Sequence, residues 1–150
     1  MRSYFVSAAL IAVTSLGCAP NPKSGKGFSL PEGDIARGKE TFAQLQCQVC
    51  HTVSGVTFDK LETPMDQKIV ALGGAKSNVQ TYGDLVTSII NPSHRFARGY
   101  SEADVADDGT SKMRHYNSEM TVQQLVDLVT FLESRYSLIE YDPTPYGPYY

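Results

Sequence analysis

The apolar positions of the chain recur at helical spacing in three segments. The first begins at about Asp34, a candidate N-cap, and continues through Leu45. The second begins after Thr81, which has Asp84 three residues on, as in a capping box. Asn91-Pro92 ends it, because the residue before a proline disfavours the helical conformation. Both segments carry one apolar stripe, as a helix that packs on a core requires.

The third segment has the clearest pattern. Thr121 and Gln124 form a capping-box pair at its start, and the pattern predicts a helix from Val122 to Tyr136. The apolar residues of this helix at i, i+3, i+4 and i+7 spacing are Val122, Leu125, Leu128, Val129 and Leu132. Segments with Gly and Pro, including 93–112, are predicted to be loops, and no stretch alternates as a strand would. The sequence therefore predicts an all-α, loop-rich fold.

The N-terminus resembles an export signal. Arg2 gives it a positive charge, and Phe5–Leu16 is an apolar stretch of signal-peptide length that is too short to span a membrane. Gly17-Cys18 follows, and a small residue before cysteine is typical of a bacterial lipoprotein cleavage site. We expect residues 1–17 to be removed and Cys18 to carry lipid. Cleavage nearby by the ordinary signal peptidase is the alternative.

Two further segments flank the predicted domain of residues 32–136. Residues 18–31 are rich in Pro, Gly, Ser and Lys. Such a composition buries too little apolar surface to fold, so a flexible tether is expected. Residues 137–150 combine prolines with tyrosines. Because proline cannot continue a helix, this C-terminal tail is predicted to be extended.

Charge and cysteine content narrow the classes of function. The 150 residues carry 13 basic and 16 acidic side chains, for a net charge of −3, and the two signs are interspersed. Nucleic-acid binding is excluded, because it requires a basic face. The mild acidity either favours a basic docking partner or serves solubility alone.

The three cysteines are odd in number and unevenly spaced, so each is interpreted at its own site rather than as part of a disulfide framework.

Cys47, Cys50 and His51 form the pattern C-x-x-C-H, which marks c-type haem attachment. Two thiols at this spacing can add across the two vinyl groups on one edge of the porphyrin. The imidazole next in sequence then lies beneath the iron and ligates it. Cys47 and Cys50 are therefore the candidate covalent sites of one haem c, and His51 is its candidate proximal ligand.

Two other kinds of site use a similar motif. A thioredoxin-like dithiol would need a βαβ context, which the pattern does not show. A zinc site would need a second Cys or His pair at short spacing, whereas His94 and His115 stand far apart. Haem attachment is favoured over both, because the predicted export would bring the chain to the compartment where bacteria attach haem.

Beyond the motif, the chain from about Asp34 to Tyr136 resembles a class I cytochrome c. In that family an N-terminal helix carries a glycine and an aromatic residue before the haem motif, matched here by Gly38 and Phe42. The last helix of the family crosses the first, and the helix predicted after Thr121 would take that place. The resemblance implies a cytochrome c fold with three main helices around one haem.

The resemblance also implies the sixth iron ligand, a methionine on the loop before the last helix. Counted from Met113, the positions that the family keeps apolar hold Met120, Leu125, Leu128, Val129, Phe131 and Leu132. Met113 is therefore the candidate distal ligand. Arg114 follows where the family commonly has proline; it could pair with a haem propionate or stay a solvated surface residue. The chain lacks the family's usual Gly-Pro-Leu segment after the haem motif, where Thr63-Pro64-Met65 could serve instead.

Other side chains are weaker candidates for the distal position. His115, close to Met113, would give bis-histidine ligation and a lower reduction potential, and His94 could do the same. Met120 is more typical of a core residue at the start of the last helix. Met65 comes too early for the family's arrangement but could line the haem pocket.

These features predict an electron-transfer protein that is not itself an enzyme. Histidine below and methionine above would leave the iron no free position. We expect a periplasmic, membrane-anchored carrier whose partners are redox proteins that dock weakly and briefly.

Two other functions stay open. The chain could be a haem-bearing subunit of a larger oxidoreductase, attached through the 137–150 tail or the 93–112 loop. If Met113 does not bind iron, the site could bind or sense gases such as NO and CO.

Overall fold

The computed structural model describes residues 27–62 and 68–139. The α-helices in these ranges are α1 (Ile35–Gln44), α2 (Tyr82–Ile90), α3 (Glu102–Val105) and α4 (Val122–Glu133). Single 3₁₀ turns lie at Cys47–Val49 and Pro92–His94. The three helices that the sequence predicts are thus confirmed. The short helix α3 is an addition, inside a segment that was predicted to be a loop.

The polar residues predicted to start the long helices do cap them. Asp34 accepts a hydrogen bond at 2.8 Å from the backbone N–H three residues on. Thr81 and Thr121 each accept the equivalent bond at 3.2 Å, and Asp84 and Gln124 bond back to complete two capping boxes. These bonds satisfy amide groups that have no partner within the helix, which fixes where each helix begins.

The first and last helices pack directly against each other. Gly38 on α1 faces the backbone of Asp127 and the side chain of Phe131 on α4. Phe42 and Phe131 meet edge to face, with ring centroids 6.0 Å apart, and Phe58 stacks on Phe42 at 4.8 Å. Aromatic pairs in these geometries add to the stabilisation from their buried area, so the crossing of α1 and α4 is the centre of the core.

The core draws its apolar side chains from α1, α2 and α4, with one addition from the strand after the cysteine motif. The buried cluster consists of Phe42, Val53, Leu85, Val86, Ile89, Leu128, Val129, Phe131 and Leu132. Leu30 packs against this cluster, and the Tyr82 hydroxyl donates to Phe28 O at 2.7 Å. The last residues of the predicted tether therefore contact the domain.

In the described part of the chain, short β-strands outside the helices pair with one another. They are β1 (His51–Val53), β2 (Val70–Leu72), β3 (Gly74–Lys76), β4 (Ala106–Asp107), β5 (Thr110–Ser111) and β6 (Tyr136–Leu138). β1 pairs in parallel with β2, β3 pairs in parallel with β6, and β4 pairs antiparallel with β5. Each strand has only two or three residues, which is too short for an alternating pattern to appear in the sequence.

The last helix ends earlier than its apolar pattern predicts. α4 stops at Glu133, whereas Tyr136, the predicted end, pairs with Gly74 in the β3–β6 sheet. The Gly74 N–H donates to Arg135 O at 2.9 Å. Gly73 and Gly74 reach this contact with φ of 80° and 81°, a conformation that glycine adopts at no steric cost. A tertiary pairing therefore takes the place of the last helical turn.

Several parts of the predicted organisation lie outside the described residues. They are the signal segment 1–17, Cys18 with most of the tether, Thr63-Pro64-Met65, and the tail after Ile139. The start of the tail, through Leu138, is extended in β6. Among the helices that the structure describes, none is both long and apolar enough to cross a membrane.

Candidate functional site

The cysteine motif begins where α1 ends. Gln46 follows the helix with a φ of 58°, a left-handed conformation that stops helix propagation. Cys47–Val49 then form one 3₁₀ turn, closed by the Cys50 N–H, which donates to Cys47 O at 3.2 Å. The turn holds both cysteines on one short hydrogen-bonded segment, and His51 opens β1 directly after it.

The imidazole of His51 has a fixed orientation. Its Nδ1 lies 3.2 Å from the backbone oxygen of Val70. Because a carbonyl oxygen only accepts hydrogen bonds, Nδ1 carries the proton and Nε2 keeps its lone pair. Burial lowers the pKa of His51, which favours the neutral ring, the form that ligates metals. His51 is thus prepared to bind a metal through Nε2.

Strand β2 supplies the carbonyl that orients the ring. The parallel register places Val70 beside His51, and the Val70 N–H donates to Cys50 O at 2.8 Å. On the other edge of β2, the Ala71 N–H donates to Tyr100 Oη at 3.0 Å. Sequence reasoning missed Val70, because a residue that acts through its backbone carbonyl leaves no side-chain signal.

His51 and Met113 line the same cavity, together with Cys50. Its volume is about 610 Å³, which lies within the range of pockets for cofactor-sized ligands. The apolar part of its wall includes Val70, Leu72, Val79, Leu85, Phe96 and Val105. A cavity whose partly apolar wall carries an imidazole and a thioether fits a hydrophobic macrocycle that takes axial ligands.

The segment that carries Met113 is held by two serines. The Met113 N–H donates to Ser111 Oγ at 3.1 Å, and the Ser111 N–H donates to Ser93 Oγ at 3.0 Å. Met113 itself is half-buried. These bonds connect the loop after β5 to the turn after α2, so the backbone position of the candidate distal ligand is fixed by two separate segments.

The structure places the other distal candidates elsewhere. His94 and His115 are exposed and do not line the cavity, and the His94 ring bonds to a backbone carbonyl in its own turn at 2.8 Å. Met120 packs against the core, and Met65 lies outside the described residues. Among the candidates that the structure describes, Met113 is therefore the one on the cavity wall.

The surroundings of the motif disfavour the two alternatives to haem. Burial raises the pKa of Cys47 to about 12 and also raises the pKa of Cys50. A thiol-redox site needs the opposite, a lowered pKa that yields reactive thiolate. A structural zinc site needs four Cys or His ligands, and residues 27–62 and 68–139 contain no group of three or more metal-binding side chains. Neither alternative has support in this part of the chain.

The structure supports the surface interpretation of Arg114. Its guanidinium contacts both carboxylate oxygens of Glu119 and lies over the ring of Tyr116, away from the cavity wall. The charged residues that do line the cavity are the bases Lys68, Lys76, Arg95, Arg98 and Lys112 and the acids Asp84 and Asp104. These bases are scattered along the chain, so the sequence alone did not reveal that they surround one cavity.

The crossing of α1 and α4 and the cavity beside the cysteine motif agree with one family. In a comparison with family models, Cytochrome c matches residues 35–135, which is more than half of the chain. The chain belongs to the cytochrome c family. Its fold class is therefore the one that the sequence predicts, and its cofactor is covalently attached haem c. The comparisons with curated proteins and with solved structures found no match.

Family membership also sets the class of function. Cytochromes c bind haem and carry electrons, so the family indicates electron transfer as the class of function. The cavity meets the needs of such a cofactor. Its wall combines an imidazole, a thioether and apolar side chains with more basic than acidic side chains. The basic side chains suit the two propionates of a haem.

Proposed function

We propose that this cytochrome is a single-electron carrier whose haem is bonded to Cys47 and Cys50 and ligated by His51 and Met113. The haem supplies an iron that changes by one electron between the ferric and ferrous states. The chain would supply the covalent attachment, two ligands to the iron and the apolar side chains of the cavity wall. Because His51 and Met113 would both bind the iron, no position would be left for a substrate, and the site would exchange electrons only.

One observation carries this proposal: His51 and Met113 line one cavity, and the Val70 carbonyl engages His51 Nδ1 at 3.2 Å. That hydrogen bond leaves the Nε2 lone pair available to the iron and would raise the basicity of the ligand. The neutral thioether of Met113, as the second ligand, would favour the ferrous state and raise the reduction potential. The pair therefore supports a carrier of higher potential than bis-histidine ligation would give.

The partners of the carrier are proposed to be redox proteins that dock at the mouth of the cavity. The cavity wall has five basic and two acidic side chains, although the whole chain has a net charge of −3. The haem propionates would offset part of this local positive charge. Docking of this kind is weak and brief, and its rate depends on ionic strength.

A matched pair of methionine variants tests the distal ligand. Met113→Leu and Met120→Leu each remove one thioether at nearly constant volume. We expect Met113→Leu to abolish the sulfur-to-iron charge-transfer band of the oxidised protein and to let the reduced protein bind CO. Met120→Leu should retain the band and, like the parent protein, should not bind CO. A band that survives in Met113→Leu would contradict the assignment, and mass spectrometry of the peptide spanning residues 47–51 checks that porphyrin is attached.

We also propose that the chain is exported to the periplasm and anchored through lipid on Cys18. The apolar stretch Phe5–Leu16 and the Gly17-Cys18 pair support this, because several acyl chains on one residue hold a domain at a membrane. Cys18→Ser should move the protein from the membrane fraction to the soluble fraction without changing its haem spectrum. Mass spectrometry of the parent should find an acylated N-terminal Cys18. An unmodified N-terminus at another residue would contradict the anchor.

A further inference from the structure

The peptide group between Val70 and Ala71 is hydrogen-bonded on both sides. Its carbonyl accepts from His51 Nδ1 at 3.2 Å, and its N–H donates to Tyr100 Oη at 3.0 Å. In a trans peptide these two groups point in opposite directions, so His51 and Tyr100 lie on opposite edges of β2. One planar amide therefore connects the candidate proximal ligand to a tyrosine hydroxyl.

We infer that Tyr100 is a positioning residue that tunes the iron ligand His51 through the Val70–Ala71 peptide group. The inference rests on the proposed ligation of the haem iron by His51. Hydrogen bonds in a chain polarise one another, so an N–H that donates to Tyr100 makes the carbonyl of the same amide a stronger acceptor. A stronger acceptor draws the Nδ1 proton of His51 and makes Nε2 a better electron donor, which stabilises ferric iron.

The surroundings of β2 suit Tyr100 to this role. In the described part of the chain β2 has a partner strand, β1, on one edge only, and Tyr100 takes the place of a partner on the other. Ala71 is exposed, so its N–H would otherwise donate to water, which holds the strand in no fixed position. Tyr100 also lines the cavity and is half-buried. Its hydroxyl is therefore a fixed acceptor where solvent would be a mobile one.

Two tyrosine variants of the full, haem-loaded protein test the inference. Tyr100→Phe removes only the acceptor oxygen. Tyr82→Phe is the matched control, because it also removes a hydroxyl that bonds to the backbone, the oxygen of Phe28 at 2.7 Å, but Tyr82 does not line the cavity. Electrochemistry gives the reduction potential, and NMR of the reduced, diamagnetic protein reports the His51 Nδ1 proton and the exchange of the Ala71 amide.

We expect Tyr100→Phe to raise the reduction potential and to move the His51 Nδ1 proton to higher field, because its hydrogen bond weakens. The Ala71 amide should exchange with solvent roughly two- to tenfold faster. Tyr82→Phe should leave all three quantities unchanged. If Tyr100→Phe lowers stability while the potential and the His51 proton stay constant, Tyr100 is a structural residue only and the inference is overturned.

Two further outcomes keep the inference separable from the proposed function. Absence of porphyrin on residues 47–51 of the parent would contradict the proposed function itself, before any tyrosine variant is measured. If Tyr100→Phe cannot be obtained with haem, amide exchange in the reduced parent protein tests the inference instead. Slow exchange of the Ala71 amide would support its bond to Tyr100, whereas exchange as fast as in an unfolded peptide would overturn the inference.

Discussion

Gly38 lies where α1 and α4 approach each other closely. A Cβ at this position would overlap the backbone oxygen of Asp127 and approach the Phe131 Cβ to 2.6 Å. The obstacle is backbone, which cannot swing aside as the end of a flexible side chain can, so the two helices would have to separate. Glycine is a poor helix former, and its presence inside α1 is explained by this close approach rather than by local preference.

We predict that Gly38→Ala destabilises the protein by about 3 kcal/mol, at the upper end of the usual cost of overpacking. Gly83→Ala is the control, because a Cβ there would meet only Thr81 Oγ1, at 3.8 Å. Alanine is the better helix former, so the control should be unchanged or slightly more stable. Denaturant unfolding of both haem-loaded variants measures the difference. Equal stabilities of the two variants would show that α1 and α4 do not pack as described.

At the scale of elements, one buried carboxylate joins the two crossing helices. Asp127 on α4 is 2% exposed, and its oxygens accept from the Asp34 N–H at 2.8 Å and from Arg37 Nε at 2.8 Å. Gln123 adds a third donor at 3.0 Å. The start of α1 is therefore bound to the middle of α4 by a buried acid whose hydrogen bonds are satisfied, as burial of a charge requires.

This network predicts a pH-dependent stability. The Arg37 hydrogen bonds lower the pKa of Asp127 from 3.8 to about 2. Because the folded value lies below the unfolded one, the carboxylate stabilises the fold fully above about pH 4 and loses its effect as the pH falls towards 2. We expect Asp127→Asn to lower the free energy of unfolding by about 2 kcal/mol at pH 7, and by clearly less near pH 2.

Urea unfolding of the parent and the variant at both pH values checks this prediction. Asp59→Asn, at an exposed acid, is the control and should change stability little at either pH. A loss in Asp127→Asn that is the same at neutral and acid pH would mean that side-chain shape, and not charge, accounts for the effect of Asp127.

The elements also show why the helices were predictable and the strands were not. A helix of nine or more residues, such as α2 or α4, shows its apolar stripe and its capping box within one segment of sequence. β2 has three residues, and its position depends on β1 and Tyr100 rather than on its own composition. The early end of α4 has the same cause, since β3 is distant in sequence from Tyr136.

At the scale of the whole molecule, α2, α3 and the segments between the elements line a cavity of about 610 Å³, beside the packed pair α1 and α4. Its wall receives Cys50 and His51 from the cysteine motif, Met113 from its loop, and β2, whereas Cys47 packs against the core cluster. Of the two nearby candidates Met113 and His115, the structure puts only the first on this wall. Basic side chains outnumber acidic ones on this wall, although the net charge of the whole chain is negative. The net charge of the chain is therefore a poor guide to the charge of the surface that a redox partner contacts.

The sequence by itself determined the three long helices and the attachment motif, because each of these depends on residues close together along the chain. The order and spacing of these local patterns were enough to indicate the family. Only the tertiary structure decided which backbone carbonyl orients His51 and which side chains share its cavity. It also decided that the Tyr100 hydroxyl accepts from the N–H of Ala71, the residue after Val70. Contacts between distant segments depend on how the helices and loops pack, and a backbone carbonyl or a scattered set of bases has no local pattern by which it could be recognised.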